Sequence, residues 1–132
     1  RLEALARESN LSDRVRFVGW RSDVPAWLAA SDVFLLPSRW EGMPNALLEA
    51  FALGLPALAS DVEGVAETTG QDLSFQLVPN GAPFVAASRL AALAEDPDLR
   101  RRLGEANRLR MSESFSPTIV VEAYARLYDS LR

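Results

Sequence analysis

The chain has 132 residues, about the length of one ordinary domain, and its 48% apolar and 24% charged residues are typical of a folded globular protein. A formal net charge of -4 disfavours binding to the phosphate backbone of nucleic acids. All 14 basic residues are arginine, and histidine, cysteine and lysine are absent, which excludes catalysis by thiolate or imidazole, Schiff-base lysines and a complete phosphate-binding P-loop.

The amino-terminal part is predicted to contain a helix, a strand and a short second helix. Apolar residues at helical spacing around Leu5 predict the first helix. Residues 15–18 predict a short strand that ends at Gly19. Asp23, two residues before Pro25, predicts the capped start of the second helix.

Three further strands are predicted, and helices separate them. Residues 33–36 are apolar and are closed by Pro37, as in a strand buried on both faces. Residues 56–59 and 75–78 predict the other two, with a helical turn at residues 65–67 between them. The order β, α, β, α, β predicts an α/β fold whose parallel sheet carries helices on both faces and binds ligands outside the carboxyl ends of its strands.

The remaining predicted helices carry clear start and stop signals. Residues 46–53 form a helix with Pro44 in its first turn and Gly54 at its end. Helices at residues 87–95 and 99–110 are separated by Asp96 and Pro97, and a last helix spans residues 117–131. Asp96 and Asp98 also match an Asp-x-Asp metal motif, but their position between two helices favours helix capping.

The loop between strand 33–36 and helix 46–53 is the candidate site. The amides of Asn45, Ala46 and, as a further option, Met43 should be free at the helix start, where they favour an anion such as a phosphate. Glu41, Asn45 and Glu49 are predicted to form a polar stripe that could hold sugar hydroxyls. The alternative is that Glu41 only stabilises the helix start and Glu49 faces water, and local physics leaves both interpretations open.

A resemblance to a known family rests on several short motifs in register. Residues 38–50 with 54–56 resemble the Glu-x7-Glu signature of group 1 retaining glycosyltransferases of GT-B architecture, with Glu41 and Glu49 at the two glutamate positions. Other segments similar to the family in order and spacing are Val18-Gly19 and residues 32–38, 59–61, 64–67 and 115–128.

The resemblance implies a Rossmann-like sheet that belongs to an incomplete GT-B carboxy-terminal domain. It also implies transfer of a hexose from a nucleotide diphosphate sugar with retention of configuration, in glycan or polysaccharide biosynthesis, without a metal or other cofactor. Glu41 would be the catalytic residue, with positioning of the donor sugar ranked above nucleophilic attack, and Glu49 would bind the ribose. The other substrate-binding residues that it implies are Gly19, Trp20, Gly42, Met43, Asn45 and Ala46.

The chain departs from the family pattern in two respects. Glu63-Gly64 stands where the family often has two glycines. The chain also begins within a helix of the family pattern, so the first two strands of the domain, its Arg and Lys pair and the amino-terminal acceptor domain are missing. The two missing strands would leave a gap in the sheet with unpaired backbone groups. We therefore expect residues 1–132 to be a fragment of a longer protein with little activity alone. The alternatives are that a partner chain fills the gap or that the remaining strands pair with each other.

Rival functions remain open at this stage. A noncatalytic nucleotide-sugar-binding module on the same fold would need Glu49 but not Glu41. A nicotinamide dehydrogenase is disfavoured because no Gly-x-Gly-x-x-Gly motif occurs. No run approaches the roughly 20 apolar residues that span a bilayer, which predicts a cytoplasmic location. Association with the inner face of the membrane through the rest of the protein is the alternative.

Overall fold

The computed structural model describes residues 1–131, so Arg132, the last residue of the predicted domain, lies outside the described residues. The predicted helices are all present near their predicted bounds, and the alternation of strands and helices in the middle of the chain is confirmed. The elements are α1 (Leu2–Glu8), α2 (Val24–Ala29), β1 (Phe34–Leu36), α3 (Asn45–Ala52), β2 (Ala57–Asp61), α4 (Val65–Thr69), a 3-10 helix (Gln71–Gln76), β3 (Leu77–Pro79), α5 (Pro83–Glu95), α6 (Pro97–Ser114) and α7 (Pro117–Ser130).

The strands form a parallel sheet in the order β1-β2-β3. Leu35 of β1 lies opposite Leu58 of β2, and Ser60 of β2 lies opposite Val78 of β3. Because the strands run parallel, their carboxyl ends meet at one edge of the sheet, and the loops that follow them start there. This edge is called the carboxyl edge below.

Alternate residues of β2 are buried against helices on opposite faces of the sheet. Ala57 and Ala59 pack on one face with Phe51 of α3. Leu58 packs on the other face with Leu93 of α5. Since successive side chains of a strand point to opposite faces, this alternation places one helical layer on each side, which confirms the predicted fold class.

Helix α6 crosses the end of α3 at very short range. A Cβ atom added to Gly104 would lie 2.0 Å from the carbonyl oxygen of Gly54, so only glycine fits at that position. The start of α6 follows the sequence prediction, because Asp96 Oδ1 accepts a hydrogen bond of 2.8 Å from the amide of Leu99. Asp96 is therefore a helix cap, as predicted.

The strand predicted at residues 15–18 is wrong. This segment has no regular secondary structure and pairs with none of the strands in the described part of the chain. Val15, Phe17 and Val18 are 40%, 46% and 41% exposed. Apolar composition alone does not make a strand, because a strand also requires a neighbour that satisfies its backbone hydrogen bonds.

Two details of the predicted sheet are also corrected. Burial of β1 on both faces is wrong for Leu35, which is 47% exposed, whereas Phe34 and Leu36 pack against the core. The strand β1 lies at the edge of the described sheet, so it has a neighbouring strand on one side only. The third strand begins at Leu77 rather than at residue 75, because Phe75 and Gln76 belong to the 3-10 helix.

A buried polar pair joins the 3-10 helix, α6 and the start of β2. Gln76 Oε1 accepts a hydrogen bond of 2.7 Å from the amide of Ala57, and Gln76 Nε2 donates to Asn107 Oδ1 at 2.7 Å. Asn107 Nδ2 in turn donates to the carbonyl of Leu55 at 2.6 Å. Both side chains are almost fully buried, so each hydrogen bond satisfies a polar group that water cannot reach.

Within residues 1–131, no helix combines the length and the hydrophobicity that crossing a membrane requires.

The Asn107→Ala substitution is predicted to destabilise the protein by about 1–3 kcal/mol, because it leaves the Leu55 carbonyl and one Gln76 group buried without partners. Urea unfolding of the purified protein measures this loss. The control is a double-mutant cycle with Gln76→Ala, in which the double substitution should cost less than the sum of the two single ones. Additive costs would contradict the shared network.

Candidate functional site

The loop between β1 and α3 leaves the sheet at the carboxyl edge and carries most of the predicted site residues. Glu41 is half-buried, whereas Gly42 and Met43 are exposed. Trp40, beside Glu41, is 76% exposed, so the loop presents an aromatic side chain to solvent. The candidate site is therefore open at the position that the parallel sheet favours for ligands.

A side-chain hydrogen bond holds Glu41 in place. Ser38 Oγ donates to Glu41 Oε1 at 2.7 Å, across three residues of the same loop. The bond restricts the rotamers of Glu41 and leaves its second oxygen, Oε2, without a hydrogen bond from the described residues. Ser38 lies within the motif of residues 38–50 but was not predicted as a site residue, because a hydroxyl three residues from a carboxylate does not by itself indicate a contact.

The start of α3 differs from its predicted geometry. Pro44 occupies the position just before the helix, and the Asn45 amide donates to the carbonyl of Met43 at 2.9 Å. The expected free amide at Asn45 is therefore corrected, because the turn that precedes the helix uses it. The amides of Met43 and Ala46 have no backbone acceptor among the described residues. These two donors remain for an anion.

The predicted polar stripe of α3 lies on the exposed side of the helix. Asn45 and Glu49 are both exposed, whereas Leu47, Ala50 and Phe51 are buried on the side that faces the sheet. The exposure of Glu49 agrees with both interpretations of this residue, as a ligand-binding glutamate and as a glutamate that only faces water. Binding of a ligand by Glu49 therefore stays a prediction.

The loops after β1 and β2 touch through their backbones. Gly64 has φ of +80°, and a Cβ atom added there would lie 1.9 Å from the carbonyl oxygen of Gly42 and 3.1 Å from that of Glu41. Only glycine permits both this φ and this approach. The turn at Gly64 thus packs against the backbone of the Glu41 loop, so Gly64 contributes to the site although it was not predicted as a site residue.

Helix α4, which begins just after Gly64, is held at its other end by Arg110 of α6. The Arg110 guanidinium donates to the carbonyls of Thr68 at 2.6 Å and Glu67 at 2.5 Å. A cation at the carboxyl end of a helix also interacts favourably with the helix dipole. Arg110 thereby fixes α4 and, through it, the position of Gly64.

The predicted residues Gly19 and Trp20 lie on a different loop. Trp20 is 88% exposed, and no hydrogen bond joins this loop to residues 38–49 within the described part of the chain. Arg21 donates from Nε and Nη2 to the two oxygens of Asp23, both at 2.8 Å, and its guanidinium lies 5.3 Å from the centre of the Trp27 ring. This pair orders the end of the loop before α2.

The predicted start of the second helix at Asp23 is confirmed, because Asp23 is the residue just before α2. The expected side-chain cap is wrong, because the Asp23 carboxylate binds Arg21 and makes no capping bond to α2. The Arg21 guanidinium holds the pKa of the Asp23 carboxyl below its ordinary value. The carboxylate of Asp23 therefore forms an ion pair in the loop, while its backbone carbonyl accepts a hydrogen bond of 3.0 Å from the Ala26 amide in the first turn of α2.

No group of three or more carboxylates able to hold a metal ion occurs among residues 1–131. The polar groups of the candidate site are one half-buried carboxylate, one exposed carboxylate and two backbone amides. Such a set can accept hydrogen bonds from hydroxyl groups and donate them to an anion.

Residues 1–110 match the family model described as "Glycosyl transferases group 1". A curated relative, the lipopolysaccharide core biosynthesis glycosyltransferase LpsD of Rhizobium meliloti, is 33% identical over 128 residues, which cover 97% of this chain and 37% of LpsD. The mannosyltransferase LpsB of the same organism is 35% identical over 132 residues, which cover 98% of this chain and 38% of LpsB. The chain thus spans a little over a third of the length of these two relatives.

Solved structures match the fold over nearly the whole chain. Sucrose-phosphate synthase from Thermosynechococcus elongatus superposes with a TM-score of 0.89 at 32% identity, over 99% of this chain and 33% of that chain. HepE from Anabaena, solved in complex with UDP, superposes with a TM-score of 0.91 at 23% identity, over 98% of this chain and 36% of that chain. These matches confirm a partial Rossmann-like domain of GT-B type.

The Gly64→Ala substitution is predicted to destabilise the protein more than Gly81→Ala does. Both glycines have positive φ, +80° and +76°, but a Cβ at Gly81 has no atom within 4 Å. Gly81→Ala should therefore cost only backbone strain, about 1–2 kcal/mol. Gly64→Ala adds overlap with the Gly42 carbonyl, for roughly another 1–3 kcal/mol. Equal losses in urea unfolding would contradict the loop contact.

Proposed function

The chain belongs to the group 1 glycosyltransferases, and from this premise we propose that it is the donor-binding part of an enzyme that transfers a hexose from a nucleotide diphosphate sugar. The proposed reaction retains the configuration at the anomeric carbon and extends a glycan or polysaccharide. The lipopolysaccharide and colanic acid glycosyltransferases among its relatives support this class of product. An amino-terminal acceptor domain in the same protein stays a prediction.

The observation that carries the proposal is the Ser38 hydrogen bond that orients Glu41 at the carboxyl edge. This bond occupies Oε1 and leaves Oε2 of a half-buried carboxylate to accept a hydrogen bond from a sugar hydroxyl. Held in this way, Glu41 needs little rearrangement to position the donor sugar. We assign Glu41 this positioning role and treat attack on the anomeric carbon as secondary.

The start of α3 suits the nucleotide end of the donor. The amides of Met43 and Ala46 can donate to the diphosphate, and Glu49, one turn further along the exposed side of α3, can bind the ribose hydroxyls. The UDP bound in the HepE structure supports a nucleoside diphosphate as the ligand of this fold. Gly19 and Trp20 would lie beside the base.

The chemistry of this transfer fits the side chains that the chain offers. A diphosphate is a leaving group that needs stabilisation of its developing charge more than it needs a nucleophile from the protein. Backbone amides and the positive end of α3 supply such stabilisation, and no histidine, cysteine or lysine is required. The donor is a substrate, so the proposed reaction uses no resident cofactor.

Substitution of the two glutamates is predicted to separate catalysis from binding. In the native gene product that contains this chain, Glu41→Gln should lower kcat by about 100-fold or more and leave the Kd for UDP nearly unchanged, because Glu41 contacts the reacting sugar. Glu49→Ala should raise the Kd for UDP by about tenfold. Calorimetry with UDP and turnover with a panel of nucleotide diphosphate sugars measure both effects.

Glu95→Gln, an exposed carboxylate at the end of α5, is the matched control and should change neither value. If Glu41→Gln left turnover intact while Glu49→Ala abolished nucleotide binding, the assignment of Glu41 to catalysis would be wrong and the chain would fit a noncatalytic nucleotide-sugar-binding module.

Ser38→Ala is predicted to lower kcat by about tenfold with little effect on UDP binding, because Glu41 loses the bond that orients it. In the double substitution Ser38→Ala with Glu41→Gln, activity should equal that of Glu41→Gln alone, since both changes remove one function. Losses that multiply would show that Ser38 acts independently of Glu41.

A further inference from the structure

A pocket of about 210 Å³ opens at the carboxyl edge, where β1, β2 and β3 end together. We name it the strand-end pocket. Prolines just after β1, at the end of β3 and at the start of α5 form part of its apolar wall, and an arginine, a hydroxyl and an amide form its polar part. These six lining residues are Pro37, Pro79, Pro83, Arg39, Ser60 and Asn80.

The polar side chains of this pocket have no partners within the described residues. Arg39 makes neither an ion pair nor a hydrogen bond there, unlike Arg21, which binds Asp23, or Arg110, which caps α4. The Ser60 hydroxyl and the Asn80 amide also lack side-chain hydrogen bonds in the same part of the chain. Three polar side chains without partners in that part of the chain, from the loop after β1, from β2 and from the turn after β3, thus converge on one concave surface.

The charge of the pocket favours an anion. Arg39 is its one cationic side chain, and no aspartate or glutamate lines it. A guanidinium presents several N–H donors in one plane, which match the oxygens of a phosphate. The hydroxyl and the amide can add neutral donors from the other walls.

The size of the pocket favours one chemical group over a whole ligand. Pockets that enclose a drug-sized molecule measure roughly 300–1,000 Å³, well above the 210 Å³ observed. A single phosphate group fits, while the molecule that carries it would extend out of the pocket into solvent.

The pocket is separate from the predicted donor contacts. None of the residues assigned to the donor lines it, yet Arg39 lies only two residues from Glu41 in the same loop. An anion held by Arg39 would therefore lie near Glu41 but outside the predicted donor contacts, as expected for a second molecule at the site. In a transferase, that molecule is the acceptor.

We propose that the strand-end pocket binds a phosphate group carried by the acceptor, with Arg39 as its main ligand and Ser60 and Asn80 as supporting donors. This inference rests on the proposed function, because only a transferase has an acceptor. The phosphate can belong to a soluble sugar phosphate or to a lipid-linked sugar, since the pocket recognises the phosphate group alone.

The experiment uses the native gene product, saturated with UDP so that the donor site is filled, and inorganic phosphate as the probe. Phosphorus NMR at low ionic strength follows binding, because salt screens exposed charges. We expect Arg39→Ala to weaken phosphate binding by at least about tenfold and Asn80→Ala by about threefold. Arg102→Ala, an exposed arginine on α6, is the matched control and should bind as the wild type does.

The outcomes separate the inference from the proposed function. Loss of phosphate binding in Arg39→Ala with an unchanged Kd for UDP supports the pocket. Equal phosphate binding by Arg39→Ala and the wild type overturns it, as does weaker UDP binding in Arg39→Ala, which would assign Arg39 to the donor diphosphate. Failure of the wild type to bind UDP would instead contradict the proposed function.

A second arm distinguishes the sources of the phosphate. Glucose 1-phosphate and vesicles that contain an undecaprenyl phosphate are compared as competitors of inorganic phosphate in the wild type. Competition by either one supports the pocket and identifies the soluble or the lipid-linked source. Competition by neither would show that the pocket accepts only the free ion, which would overturn an acceptor site.

Discussion

The pairing of β2 with a parallel strand on each side is the constraint on which the rest of the structure depends. Buried backbone groups must be hydrogen-bonded, and β2 satisfies this requirement only with β1 and β3 in place. Parallel pairing then brings the carboxyl ends of the strands together. The Glu41 loop, the Gly64 turn and the Asn80 loop meet at one edge for that reason.

Support for the Glu41 loop comes from elements far from it in sequence. Ser38 orients the carboxylate from within the loop, and Gly64 allows the turn after β2 to pack directly against its backbone. Arg110 holds the opposite end of α4 through two carbonyls. A candidate site on an exposed loop thus gains rigidity from contacts that do not touch a ligand, as precise positioning of a substrate requires.

Local signals in the sequence predicted the helices well and the strands less well. The start of α6 at Asp96 and the end of α3 at Gly54 follow from capping residues, whose effect stays within one turn. Residues 15–18 have the composition of a strand but no partner in the described chain, and Leu35 is 47% exposed because β1 is an edge strand of the described sheet. Composition does not encode the presence of such neighbours.

The sequence by itself determined the alternation of strands and helices from β1 to β3, the helices that follow and the segment that carries the candidate site, because periodicity, capping residues and the spacing of Glu41 and Glu49 are local properties. The fold family followed from the resemblance of several short motifs in register. Tertiary structure alone decided that Ser38 binds Glu41, that Gly64 meets Gly42, that Gln76 and Asn107 share a buried network, and that Arg39, Ser60 and Asn80 surround one pocket. Each of these contacts depends on how separate backbone segments approach one another, and that distance is set by packing rather than by any short stretch of residues.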